Sequence, residues 1–89
     1  MKYYEATLKI RDGEHEYTQD VFVEQPTKRK AKAHIMRYCR NFYDGIRPEY
    51  DKEDESFCFP GACVIVQPRW ITETTKEAFT EYLFNKCRI

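Results

Sequence analysis

From Tyr3 to Ile10 the chain alternates. Tyr4, Ala6, Leu8 and Ile10 lie on one side, and Tyr3, Glu5, Thr7 and Lys9 on the other. A period of two marks a strand with one buried face. Arg11-Asp12-Gly13-Glu14 interrupts it with Asp-Gly, a pair that tolerates the positive φ of a tight hairpin turn. Alternation resumes over residues 15–24, where Tyr17, Val21 and Val23 share one face and Glu16, Thr18, Asp20, Phe22 and Glu24 the other. The pattern predicts a β-hairpin over residues 3–24, with Phe22 breaking an otherwise polar face.

The period then changes. Ala31, Ile35, Tyr38, Cys39 and Phe42 recur at i, i+4, i+7, i+8 and i+11, the apolar stripe of an amphipathic helix. Thr27 is suited to cap it and Gly45 to end it, so a helix is expected over residues 27–43. Residues 44–56 are polar, acidic and aperiodic and read as an exposed loop. Residues 57–73 read as strands around a Phe59-Pro60-Gly61-Ala62 turn, with Pro68 forcing a bend or an edge position. A Thr-x-x-Glu capping box at Thr74–Glu77 opens a last helix, expected over 75–87. The order β-β-α-β-(β)-α describes one α+β domain over residues 1–89, a two-layer sandwich with an antiparallel sheet and both helices on one face. A domain of this size buries about 60% of its unfolded surface, which leaves little room for a deep cleft.

Charge changes this picture. Fifteen basic residues balance fifteen acidic ones, which fits neither a wholly basic nucleic-acid binder nor an acidic DNA mimic. The balance is local, however. Residues 26–43 hold six basic residues and no acidic one, whereas residues 44–55 hold six acidic and two basic. On a helical wheel Arg29, Lys30, Arg37 and Arg40 share the outward face, opposite the apolar stripe. Three readings stay open: a solvated face neutralised by the acidic loop, a contact for an acidic protein surface, or a contact for phosphates. Glu53, Asp54 and Glu55 are the matching acidic candidates for partner binding. Cations in the helix's first turn oppose its dipole by a few tenths of a kcal/mol each, a weak sign that they serve another purpose.

Catalytic groups are scarce. His34 and Cys39 lie about 140° apart around the helix, too far for a nucleophile–base pair. Ser56 is the only serine and has no G-x-S-x-G around it, and Gly13, Gly45 and Gly61 are isolated, so no phosphate loop forms. The cysteines lack the close pairs of a zinc site. They are expected as thiols, although strands flanking the 59–62 turn would set Cys58 and Cys63 opposite each other, within disulfide reach. No catalytic residue, cofactor or metal is expected. No apolar run approaches a membrane span, and Met1–Glu5 has no apolar signal-type region, so a cytoplasmic protein is expected.

The stretch Tyr3-Tyr4-Glu5-Ala6-Thr7-Leu8-Lys9-Ile10-Arg11-Asp12-Gly13-Glu14-His15-Glu16-Tyr17, then Val21-Phe22-Val23-Glu24 and a charged helix, resembles short proteins of bacteria and their phages. Its size and layout are similar to those of small phage-encoded inhibitors of host defence, including anti-CRISPR proteins. The resemblance brings no functional residue with it. It implies a protein that blocks a partner surface, often a cationic one built for nucleic acid. The acidic 49–55 segment suits such a partner, and the cationic helix departs from it. The reading carried forward is a non-catalytic protein-binding module of this inhibitor type. The alternative is a nucleic-acid-binding domain using the basic face of the first helix, and homodimerisation through a strand edge is the third.

Overall fold

The computed structural model describes residues 1–43, 45–81 and 87–89. Among the described residues, six strands and two helices follow in the order β1 (Lys2–Asp12), β2 (His15–Gln25), α1 (Lys28–Arg40), β3 (Glu49–Asp51), β4 (Ser56–Phe59), β5 (Val64–Thr74), α2 (Lys76–Glu81) and β6 (Cys87–Arg88). They build one sheet of order β3-β4-β5-β1-β2-β6, antiparallel apart from the β2–β6 pair. The hairpin forms as the alternation requires, with Ala6 opposite Val21 and Tyr4 opposite Val23. Tyr4, Ala6, Leu8 and Ile10 are all buried, together with Val21, Val23, Val64 and Val66, under Ala31, Ile35 and Cys39 of α1.

Helix α1 starts where its cap is. Thr27 has extended backbone and its Oγ1 accepts from the Lys30 amide at 3.2 Å. The helix ends at Arg40, three residues short of the expectation, with Asn41 as its C-cap. Phe42 and Tyr43 then turn back to pack on Phe59, at ring separations of 6.4 and 5.6 Å. Burial of these aromatics outweighs continuation of the helix.

Four expectations need correction. The two helices do not share a face. Phe79 of α2 sits 4.8 Å from the ring of Tyr3 and 5.7 Å from that of Phe22. Tyr3 and Phe22 alternate with Tyr4, Val21 and Val23, so they point away from α1. The large apolar residue on the polar face of β2 is thus the seat of the second helix. Second, the expected 75–87 helix is observed as Lys76–Glu81; residues 82–86 lie outside the described residues, and Cys87–Arg88 is a strand parallel to β2. Its cap is Thr75, whose Oγ1 accepts from the Ala78 amide at 3.1 Å, so the Thr74–Glu77 box is not the one used.

Third, the exposed acidic loop contains a strand. Glu49–Asp51 pairs with β4, and Tyr50 packs its ring 4.9 Å from that of Phe57. Glu49, Asp51, Glu53, Asp54 and Glu55 are exposed as expected. Asp51 Oδ1 accepts from the amides of Glu53 and Asp54, at 2.9 and 3.3 Å, and so shapes the turn into β4. Fourth, Cys58 and Cys63 are not opposed. The Pro60–Gly61 turn closes with the Ala62 amide donating to the Phe59 carbonyl at 3.3 Å. Cys63 is then an extra residue at φ 57°, which moves pairing on to Phe59–Val64 and Cys58–Ile65. Both cysteines are free thiols. The Cys63 carbonyl accepts from the Gly13 amide at 3.0 Å, tying the two hairpin turns together.

Two tests follow. Phe79→Ala removes the ring that covers Phe22, and is expected to destabilise the fold by about 3 kcal/mol in urea titration. In a double-mutant cycle, Phe22 and Phe79 are expected to couple by about 1 kcal/mol. Cys39 is fully buried, and burial pushes its thiol up to about 12 from an ordinary value near 9. Above pH 9 the unfolded chain releases a proton that the folded chain keeps, so this thiol makes stability fall as pH rises from 9 to 12. An alkylating thiol reagent at pH 8 is expected to modify exposed Cys63 quickly, and Cys39 only on unfolding.

Candidate interaction site along the edge of β5

Strand β5 is sandwiched for only part of its length. Val64, Ile65 and Val66 pair with β4 on one side and β1 on the other. From Gln67 to Thr74 the side away from β1 has no strand partner among the described residues. Pro68 stands opposite Leu8 within this stretch, which is the edge position its sequence context predicts. Pairing then slips: Thr7 faces Arg69 while Glu5 faces Thr72, so Ala6 alone spans Trp70 and Ile71. This bulge keeps Arg69 and Thr72 on one face although they are three residues apart. Ile71 turns to the core under α1. Trp70 takes the extra position at φ 47°, a strained conformation for a bulky side chain, and its indole is 71% exposed.

Around Trp70 the surface is concave. A notch of about 590 Å³ is lined by Glu53, Asp54, Glu55, Gln67, Arg69 and Trp70, among others. It continues into a groove of about 390 Å³ on the open face of the sheet, where Lys9, Arg11, Cys58 and Ile65 join Asp54, Gln67 and Arg69. Ile65 is exposed at one end and Trp70 at the other. The walls are held in place: the Gln67 side-chain amide donates to the Asp54 carbonyl, and the Arg69 guanidinium lies 5.4 Å from the centre of the indole ring. On the far side Lys9 pairs with Glu16 at 2.8 Å, which holds the Glu16 carboxyl below its ordinary range. Next to it Thr7 Oγ1 donates to Asp20 Oδ1 at 2.9 Å.

The sequence-derived candidates thus separate into two places. Glu53, Asp54 and Glu55 belong to the β5 notch. Arg29, Lys30, Arg37 and Arg40 are exposed on α1 and form no ion pair with any described residue. The acidic turn faces the edge and open face of the sheet, so the two charged groups do not neutralise each other there. Trp70 and Arg69 escaped sequence reasoning. The signal available was a lone tryptophan directly after Pro-Arg in a strand, but its exposure depends on where β4 begins. His34 and Cys39 are kept apart: His34 Nδ1 accepts from Gln25 Nε2 at 2.9 Å, while Cys39 faces the core. Among the described residues, no three His, Cys, Asp or Glu side chains converge in a way that could hold a metal ion, and no helix is long and apolar enough to cross a membrane. Compared with protein-family models, with curated proteins and with solved structures, the chain finds no match in any of the three.

Proposed function

We propose that this chain is a small, non-catalytic protein-binding module that acts by occluding a surface of its partner, with the β5 edge around Trp70 as the contact. The observation that carries this reading is the indole itself. It is 71% exposed, on a backbone conformation that a bulky residue adopts at a cost. It stands beside a notch whose rim is polar and charged. Aromatic and arginine anchors inside a polar rim are the make-up of protein interfaces. Trp70, Arg69 and Ile65 supply the anchors, and Glu53, Asp54, Glu55 and Gln67 the rim. The similarity in size and layout to phage-encoded inhibitors supports occlusion as the mode of action, and a host defence complex in the cytoplasm as the class of partner.

Pairing of this edge with a second copy is the weaker reading. Pro68, the charge on Arg69 and the bulge at Trp70 are all features that discourage strand addition. They leave the side chain of Trp70, rather than the backbone of β5, as the group on offer.

Trp70 is the only tryptophan, so its fluorescence reports its own environment. A partner captured from nuclease-treated host lysate and purified is expected to shift the emission to the blue on binding. Capture is expected to fail with Trp70→Gly. An unshifted emission, or equal capture by the variant, removes this edge as the contact. The same substitution is expected to raise stability by about 0.5–1 kcal/mol in urea titration, because glycine relieves the positive-φ strain at a site with little packing to lose.

A further inference from the structure

Helix α1 presents a second surface, of different composition. Lys28, Arg29, Lys30, Lys32, Arg37 and Arg40 are all exposed, and the helix contains no acidic residue. None of the six forms an ion pair with a described residue. The large apolar side chains exposed among the described residues are Met1, Tyr17, Tyr50, Ile65 and Trp70, and none is on α1. Met36, the apolar side chain nearest the cations, is half-buried against the core and offers little of the apolar centre of a protein interface. A polyanion needs only charge. We propose that the outer face of α1 docks on the phosphate backbone of B-form duplex DNA, with the helix lying in the major groove.

The distribution of charge around the helix favours a groove over a single strand. At about 100° per residue, Lys30 and Arg37 lie on one side of exposed Ala33 and Arg29 and Arg40 on the other, with Lys32 beyond them and Lys28 on the side of the buried stripe. The five cations from Lys30 round to Lys32 span roughly 160°, with charge on both sides of the small Ala33 for two flanking walls of phosphate; a lone strand offers one line. A helix with side chains is about 10–12 Å across, and the B-DNA major groove is about 12 Å wide. The major groove of A-form RNA is too narrow to admit it. The helix start adds to the attraction. Thr27 accepts one amide of the first turn, and the positive end of the dipole favours phosphate. The acidic turn lies along the β5 notch.

Anisotropy with a labelled mixed-sequence 20-base-pair DNA duplex tests the proposal. The same sequence as a single strand and as an RNA duplex serves for comparison. Binding to the DNA duplex is expected at 50 mM salt, with about 100-fold loss at 200 mM if four phosphates are contacted. Arg29→Ala, Lys30→Ala, Arg37→Ala and Arg40→Ala together are expected to weaken binding at least tenfold at 50 mM, with helix content and melting temperature unchanged. The milder pair Arg37→Gln and Arg40→Gln serves if the fourfold variant loses its fold. No binding to duplex at 50 mM overturns the proposal, as does undiminished binding by a folded variant. Equal affinity for single strand or RNA duplex overturns the groove geometry. Displacement by polyglutamate as readily as by DNA assigns the face to an acidic protein instead.

Discussion

Strand β1 is hydrogen-bonded to β2 on one side and to β5 on the other, and its even-numbered residues from Tyr4 to Ile10 disappear beneath α1. Side chains alternate strictly, so a slip of one residue in either ladder would put Thr7 and Lys9 into the core and Leu8 and Ile10 into water. This parity fixes the neighbours too. It decides which residues of β2 and β5 line the core, and it leaves Lys9, Arg11, Gln67 and Arg69 together on the open face. The β5 bulge is the adjustment that preserves the parity across a strand containing Pro68. One extra residue is expelled at Trp70, and both sides of the bulge stay in phase. The exposed tryptophan follows from keeping β1 in register.

What the sequence made legible is what alternation and periodicity encode locally. The first hairpin, the apolar stripe and Thr27 cap of α1, and the Pro60–Gly61 turn all follow from residues close to one another in the chain. The side of the sheet on which a helix lands is not local information. Phe22 marked the second apolar face, but its partner Phe79 is 57 positions on, and only their contact shows that α2 covers the opposite side. Cys63 is a related case. One left-handed residue after the turn moves the pairing on, and a non-glycine residue gives no warning of that conformation. The acidic residues Glu53, Asp54 and Glu55 could be picked out from charge alone. That they share a notch with Trp70 depends on β4 beginning only at Ser56, after the acidic turn.

The zero net charge is the sum of surfaces that differ in kind. The β5 notch mixes signs and places an indole among them, with one guanidinium already against the ring. Such a surface gains from desolvating its aromatic centre, and its rim charges set register more than affinity. Helix α1 has one sign and no exposed large apolar side chain among the described residues. Its attraction is long-ranged and screened by salt, with little of the shape discrimination that packed side chains provide. The two surfaces differ in place as well as in composition: one lies on α1, the other along the edge of β5 and the open face of the sheet.

Natural edges are commonly blunted by proline, charge and bulges, and β5 uses all three at Pro68, Arg69 and Trp70. Protection alone does not call for tryptophan. Glycine at the bulge would provide the same kink without strain, and a lysine would repel an incoming strand better. A large aromatic ring held on unfavourable backbone weakens the fold. Under the proposed function, its presence there serves binding rather than packing. That distinction separates Trp70 from Phe22, Phe57 and Phe59, whose rings are buried.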